Sequence, residues 1–101
     1  MNILDIDTLR KKAAADPTGE DDALLTRAGD AAESSVLNYL NTSEAELYDT
    51  YGEIPVVVEE SMYAVAVGYY EQPSGTDTRQ HYTLPFGLMA ALEHYKVLSN
   101  R

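Results

Sequence analysis

The sequence predicts an all-α fold: a small bundle of two long helices and two or three short ones, with one long polar loop. Apolar residues recur at steps of three and four in three separate segments, as on one face of a helix. Prolines, glycines and capping residues separate those segments, as expected where helices begin and end. The most apolar segment, residues 54–70, exceeds the usual length of a strand. Residues 1–101 are expected to form a single domain.

The N-terminal half is expected to contain a short helix and then a long one. Asp7 is predicted to cap a helix that reaches the alanines at 13 to 15, and Asp16-Pro17 to end it. The second helix is predicted to run to about Leu40. Its apolar stripe consists of Leu24, Leu25, Ala28, Ala31, Ala32, Ser35, Val36, Tyr39 and Leu40.

A brief helix and a second long helix are expected in the middle of the chain. Ser43 is followed three residues later by an acid, which is a capping pattern, and Gly52 is expected to end the brief helix. Ile54-Pro55 is expected to open the long helix. N–H groups in the first turn of a helix have no acceptor within the helix, so the missing N–H of a proline costs nothing there. A buried strand is the alternative, since valines occupy positions 56 to 58.

The C-terminal part is predicted to hold the long loop and the last helix. Residues 73–84 are mostly polar, with a short extended piece near Tyr82, because Leu84 precedes a proline. A short helix follows Pro85, since apolar residues again recur at helical spacing. They are Leu88, Ala91, Leu92 and Tyr95.

The composition is strongly acidic. Seventeen acids face seven bases, for a formal net charge of −10, and between residues 13 and 95 the only bases are Arg27 and Arg79. Such a surface cannot neutralise several phosphates, so we expect no tight binding of nucleic acid. The chain has no cysteine, no apolar run of membrane-spanning length and no pattern of a signal peptide. A soluble cytoplasmic protein without membrane contact is expected.

No pattern in the sequence predicts catalysis. The two histidines, His81 and His94, lack a second ligand at helical spacing, and no nucleophile or phosphate-binding motif surrounds the serines or glycines. We therefore expect no enzyme activity, no catalytic residue, no metal site and no cofactor.

The aromatic residues are mostly tyrosines, eight of them beside one phenylalanine. Tyr63, Tyr69 and Tyr70 are spread around the central helix, so they cannot all face one small core. Two interpretations stay open: the edge of the core, or an interface, where an apolar ring with a polar tip suits partly wet contacts.

Three segments of the chain, taken in order, resemble the small head–tail connector (adaptor) proteins of tailed bacteriophages and prophages. They are "EDDALLTRAGDAAESSVLNYL", "IPVVVEESMYAVAVGYYEQPS" and "LPFGLMAALEHYK". The third is similar to the proline-phenylalanine-glycine start of that family's short final helix. The resemblance extends from about Ile6 to Leu98.

The resemblance implies a structural virion protein at the head–tail junction, assembled in the cytoplasm of the bacterial host. Its subunits would form a ring with one another beneath the portal protein, extend the DNA channel and dock the next connector or tail protein. A closed ring needs two different, complementary surfaces on each subunit. The candidate interface residues are Tyr69, Tyr70, Leu84, Pro85, Phe86 and Leu88. The candidate channel or docking loop contains Thr76, Asp77, Arg79, Gln80 and His81.

An alternative from another class is an acidic protein-binding module, such as a DNA-mimicking inhibitor. It shares the negative charge but requires neither a ring nor the "LPFG" segment.

Overall fold

The computed structural model describes residues 1–15, 18–71 and 86–96, with positions 86–89 described by their backbone alone. Five helices account for most of these residues: α1 (Ile6–Lys12), α2 (Asp22–Leu40), α3 (Glu44–Tyr51), α4 (Val56–Glu71) and α5 (Phe86–Glu93). No strand occurs within these described ranges. The predicted all-α fold with two long helices is therefore confirmed. The long loop, with the extended piece near Tyr82, lies outside the described residues.

The two long helices, α2 and α4, pack against each other and form the centre of the bundle. The hydroxyl groups of Tyr69 and Ser35 are 2.9 Å apart, and the Tyr70 hydroxyl donates to Asp21 at 2.7 Å. The end of α4 therefore lies beside the part of α2 between its N-cap and Ser35, and α3 connects the two helices at the opposite end. The core side chains between them are Leu25, Ala32, Val36, Leu40, Val58, Met62, Val65 and Ala66.

Helix α1 packs against both long helices and begins two residues earlier than the sequence suggests. Asp5, not Asp7, is its N-cap, and the Asp5 carboxylate accepts a hydrogen bond from the Thr8 N–H at 2.9 Å. Asp7 instead occupies the first turn and pairs with Arg10 at 2.6 Å. The helix also stops at Lys12, and Ala14 has a positive φ of 53°, so the prediction of helix at the alanines 13 to 15 was wrong.

Local capping bonds set the bounds of α3. The Ser43 hydroxyl accepts from the Glu46 N–H at 3.2 Å, and Gly52 ends the helix with φ at 79°. That left-handed conformation favours glycine, which has no Cβ to crowd the following carbonyl. Both predictions for this helix are confirmed.

The valine-rich segment is helical, as predicted, and not a strand. Val58 is fully buried against α2 while Val56 is exposed, which fits a helical turn with one apolar face. The carbonyl of Pro55 accepts from the Glu59 N–H at 3.0 Å, so the proline lies immediately before the first turn of α4. The predicted stop at Pro73 lies outside the described residues.

Candidate functional site

Large aromatic side chains are exposed at the end of the bundle where α3 connects the long helices. Tyr39 is 41% exposed, Tyr48 50% and Tyr51 46%. Tyr48 and Tyr51 share one side of α3, because residues three apart on a helix are neighbours. The Tyr51 ring meets Tyr95 edge to face, with centroids 5.4 Å apart. We call Tyr39, Tyr48, Tyr51 and Tyr95 the tyrosine surface.

Helix α5 and the residues that follow it hold this surface in place. Leu92 is buried in the core, and the Tyr39 hydroxyl donates to the Glu93 carboxylate at 2.7 Å. This hydrogen bond to a negative group raises the pKa of the Tyr39 phenol above its usual value, because it favours the protonated form. The Lys96 ammonium lies 4.6 Å from the centroid of the Tyr39 ring. Residues from α2, α3 and the C-terminal end of α5 thus form a single composite surface.

The rim of the tyrosine surface is acidic. Helix α3 and its flank carry Glu44, Glu46, Asp49 and Glu53, and no lysine or arginine occurs between residues 28 and 78. Val56 follows Glu53 by three residues, at the start of α4, and its apolar side chain is 69% exposed. A surface of exposed phenol rings and carboxylates is suited to an apolar or cationic partner.

A shallow groove lies at the opposite end of the α2–α4 pair. It has a volume of about 280 Å³ and is lined by Leu24, Arg27, Ala28, Ala31 and Tyr69. The Arg27 side chain is exposed, and within residues 1–15, 18–71 and 86–96 it has no ion-pair or hydrogen-bond partner. We call this feature the Arg27 groove.

Acids close to Arg27 in the sequence are already engaged within the subunit. Asp22 binds the Arg10 guanidinium through both carboxylate oxygens, at 2.8 and 2.9 Å. Asp21 accepts from Tyr70, and Asp30 contacts the Met1 amino group at 2.8 Å. Among the residues that the structure describes, Arg27 is therefore the cation of this groove that is left for an external acid.

Two of the predicted interface residues, Tyr69 and Tyr70, are partly buried in the α2–α4 contact. Their hydroxyls bond to Ser35 and Asp21, which favours the core-edge interpretation for most of each ring. Tyr69 nevertheless lines the Arg27 groove, so one edge of it faces outward. Tyr63 is buried, and its hydroxyl accepts from the Asp5 N–H at 2.9 Å.

The remaining predicted site residues are not described in detail. Leu84, Pro85 and the whole candidate loop, from Thr76 to His81, lie outside the described residues. Phe86 and Leu88 belong to α5 by their backbone, and their side chains lie outside the description. Their role in an interface stays a prediction.

Patterns in the sequence do not predict the tyrosine surface. Helical spacing places Tyr39 on the apolar stripe of α2, whereas the structure exposes this side chain at the edge of that stripe. A usable pattern was present in α3, where Leu47 is the buried side chain and two tyrosines, Tyr48 and Tyr51, follow it in sequence. Because the short helix α3 buries only Leu47 in the core, its two tyrosine rings are expected to stay at the surface.

The described part of the chain contains no cluster of three residues suited to hold a metal ion. His94 is exposed at the end of α5. No helix within the described ranges is long and apolar enough to cross a membrane.

Comparison with known proteins identifies the family. Residues 3–96 match the family model of phage gp6-like head-tail connector proteins. Neither a characterised protein nor a solved structure gives a significant match. The matched range includes every described helix, the tyrosine surface and the Arg27 groove. The chain therefore belongs to the phage gp6-like head-tail connector family, whose members are structural components of the phage particle.

Proposed function

We propose that the protein is a connector subunit that forms a ring with copies of itself beneath the portal protein. The ring extends the channel through which DNA passes and offers a docking site to the next connector or tail component. The observation that carries this proposal is the tyrosine surface, which the folded subunit leaves exposed. In a member of a head-tail connector family, such an exposed aromatic surface is suited to contact another subunit or component.

Three exposed tyrosines at one end of the bundle favour a protein interface over an ordinary solvated surface. Three rings at one end of the bundle are between 41% and 50% exposed. Tyrosine is enriched in protein interfaces, because its ring contributes apolar area while its hydroxyl tolerates water. A partner that covers these rings removes apolar area from water, which supplies the driving force for assembly.

The net charge fits a wall along which DNA slides. A subunit with a net charge of −10 repels phosphates overall, so a ring of such subunits does not bind the DNA that moves past it. The candidate loop from Thr76 to His81 is proposed to face this channel or the next docked component. Assembly takes place in the host cytoplasm, and the finished ring lies at the head–tail junction of the virion.

The experiment that tests this function combines the protein with its cognate portal protein. Light scattering behind a sizing column should show a complex containing several copies of this chain per portal ring, and electron microscopy should show an added annulus. The chain alone is the control, because a connector that assembles only on its portal stays monomeric without it. Absence of any complex with the portal protein, together with binding to a DNA-processing enzyme, would instead favour the acidic inhibitor.

A further inference from the structure

We propose that the tyrosine surface of one subunit docks on the Arg27 groove of a second copy of this chain. This inference rests on the proposed ring and specifies which two faces of the subunit meet in it. Tyr48 and the acids beside it enter the neighbour's groove, where Arg27 lies against the phenol ring.

Charge complementarity favours a second copy as the occupant. The segment 44–53 carries four acids and no base, so its acids outnumber Lys96, the cation that lies at Tyr39 on the same surface. Arg27 is exposed, and the part of the chain that the structure describes provides it with no partner. If Arg27 pairs with Asp49 and stacks on Tyr48 of another copy, the cation gains an acid and the acidic surface gains a cation.

The lining of the groove suits an aromatic guest. Leu24, Ala28 and Ala31 present short or apolar side chains, and Tyr69 forms the opposite wall from α4. The hydroxyl of Tyr69 is held by Ser35, so this wall is fixed in place before a partner arrives. A groove that is already formed loses less conformational freedom on binding than a mobile surface does.

The positions of the two faces are compatible with a ring. Arg27 and Tyr39 are 12 residues apart on the same helix, which corresponds to about 18 Å along its axis. The faces are therefore different and well separated, so a contact between them is heterologous. Repeating such a contact produces a ring when the rotation closes, whereas one face meeting itself would give only a dimer.

A cross-linking experiment can locate the contact, because the native chain has no cysteine. The Ala31→Cys and Ala45→Cys variants are mixed, assembled on the portal protein and oxidised gently. Ala31 lines the groove and Ala45 is an exposed residue one turn before Tyr48 on α3, so both cysteines border the contact and leave Arg27 and Tyr48 in place. We expect a disulfide-linked dimer that contains one copy of each variant. The matched control replaces Ala45→Cys by Glu60→Cys, an exposed position on α4 that pairs with Lys12 and lies outside both faces. Equal cross-linking of the control pair would overturn the inference.

A charge exchange tests the same contact without a covalent bond. Arg27→Glu should reduce the fraction of chain assembled on the portal at least tenfold, and adding Asp49→Lys in the same chain should restore it. Helicity and the unfolding midpoint of each variant provide the control for folding. If the wild-type chain forms the ring while Arg27→Glu assembles equally well, this contact is wrong and the proposed function stands. If the wild-type chain forms no ring on the portal, the proposed function fails and this inference fails with it.

Discussion

Glu33 is a buried acid that holds the N-terminal segment against the bundle. Only 8% of it is exposed, and its carboxylate accepts the backbone N–H groups of residues 2, 3 and 4 at 2.9 to 3.2 Å. Three donors converging on one carboxylate compensate for the loss of water around the charge. Gly29, one turn earlier on α2, also contributes, because a Cβ at that position would collide with the Met1 side chain. Together these two residues of α2 allow the segment before α1 to pack closely.

We predict that Glu33→Gln lowers the free energy of unfolding by about 2 kcal/mol. The amide keeps the size of the side chain but turns one acceptor into a donor that faces backbone N–H groups. The matched control is Glu60→Gln, an exposed position whose ion pair with Lys12 measures 3.5 Å, and it should change stability by less than about 0.5 kcal/mol. Urea unfolding of both variants measures the difference. A similar loss of unfolding free energy in the two variants would show that the three hydrogen bonds to Glu33 do not stabilise the fold.

At the scale of the helices, boundaries set by neighbouring residues are predictable from the sequence. Ser43 and Gly52 fix α3 through bonds within a few residues, so a local pattern identifies them. The start of α1 is different, because Asp5 and Asp7 are equally good caps by type. The choice depends on the Tyr63 hydroxyl, which accepts the Asp5 N–H from 58 residues away. A contact of that range leaves no pattern in the local sequence.

Exposure of a residue at a helix end is less predictable than the helix itself. Tyr39 has the spacing of the α2 stripe, yet within the described residues α5 covers that part of the helix incompletely. Glu93 and Lys96 contact the hydroxyl and the ring of Tyr39 and leave 41% of the side chain exposed. The candidate tyrosine surface therefore arises from how α5 lies on the bundle, which periodicity alone does not reveal.

Helix α5 also provides a test of the apolar residues at its start. We predict that Phe86→Ser leaves helicity intact and shifts stability by less than about 1 kcal/mol, while blocking assembly on the portal. The reason is that the sequence places apolar Phe86 between Pro85 and Gly87 at the start of the helix, where a polar cap is more usual. Circular dichroism, thermal unfolding and portal binding are the measurements.

Leu92→Ser on the same helix is the control for Phe86→Ser. Leu92 is 3% exposed, so replacing it with serine should cost about 3 kcal/mol and unfold part of the chain at moderate temperature. If Phe86→Ser behaves like Leu92→Ser, the phenylalanine belongs to the core of its own subunit and not to an interface.

At the scale of the whole molecule, most of the few basic residues that the structure describes are already engaged by neighbours. Arg10 binds Asp7 and Asp22, Lys12 pairs with Glu60 and contacts the Tyr63 ring, and Lys96 lies over Tyr39. Their charges stabilise contacts within the subunit and are poorly available to phosphates. The excess of acids therefore makes the electrostatic potential around the protein predominantly negative.

We predict that the protein does not bind duplex DNA with a Kd below about 100 µM at physiological salt. Non-specific DNA binding requires several cations that displace counterions together, and a net charge of −10 with most described bases engaged opposes this. Fluorescence anisotropy of a labelled duplex, measured at about 50 mM and about 150 mM salt, checks the prediction. The ring assembled on the portal should give the same result as the free chain, because each added subunit adds net negative charge. Submicromolar binding that weakens steeply with salt would contradict the proposed repulsive channel wall, since it would require a basic face that attracts DNA to the protein.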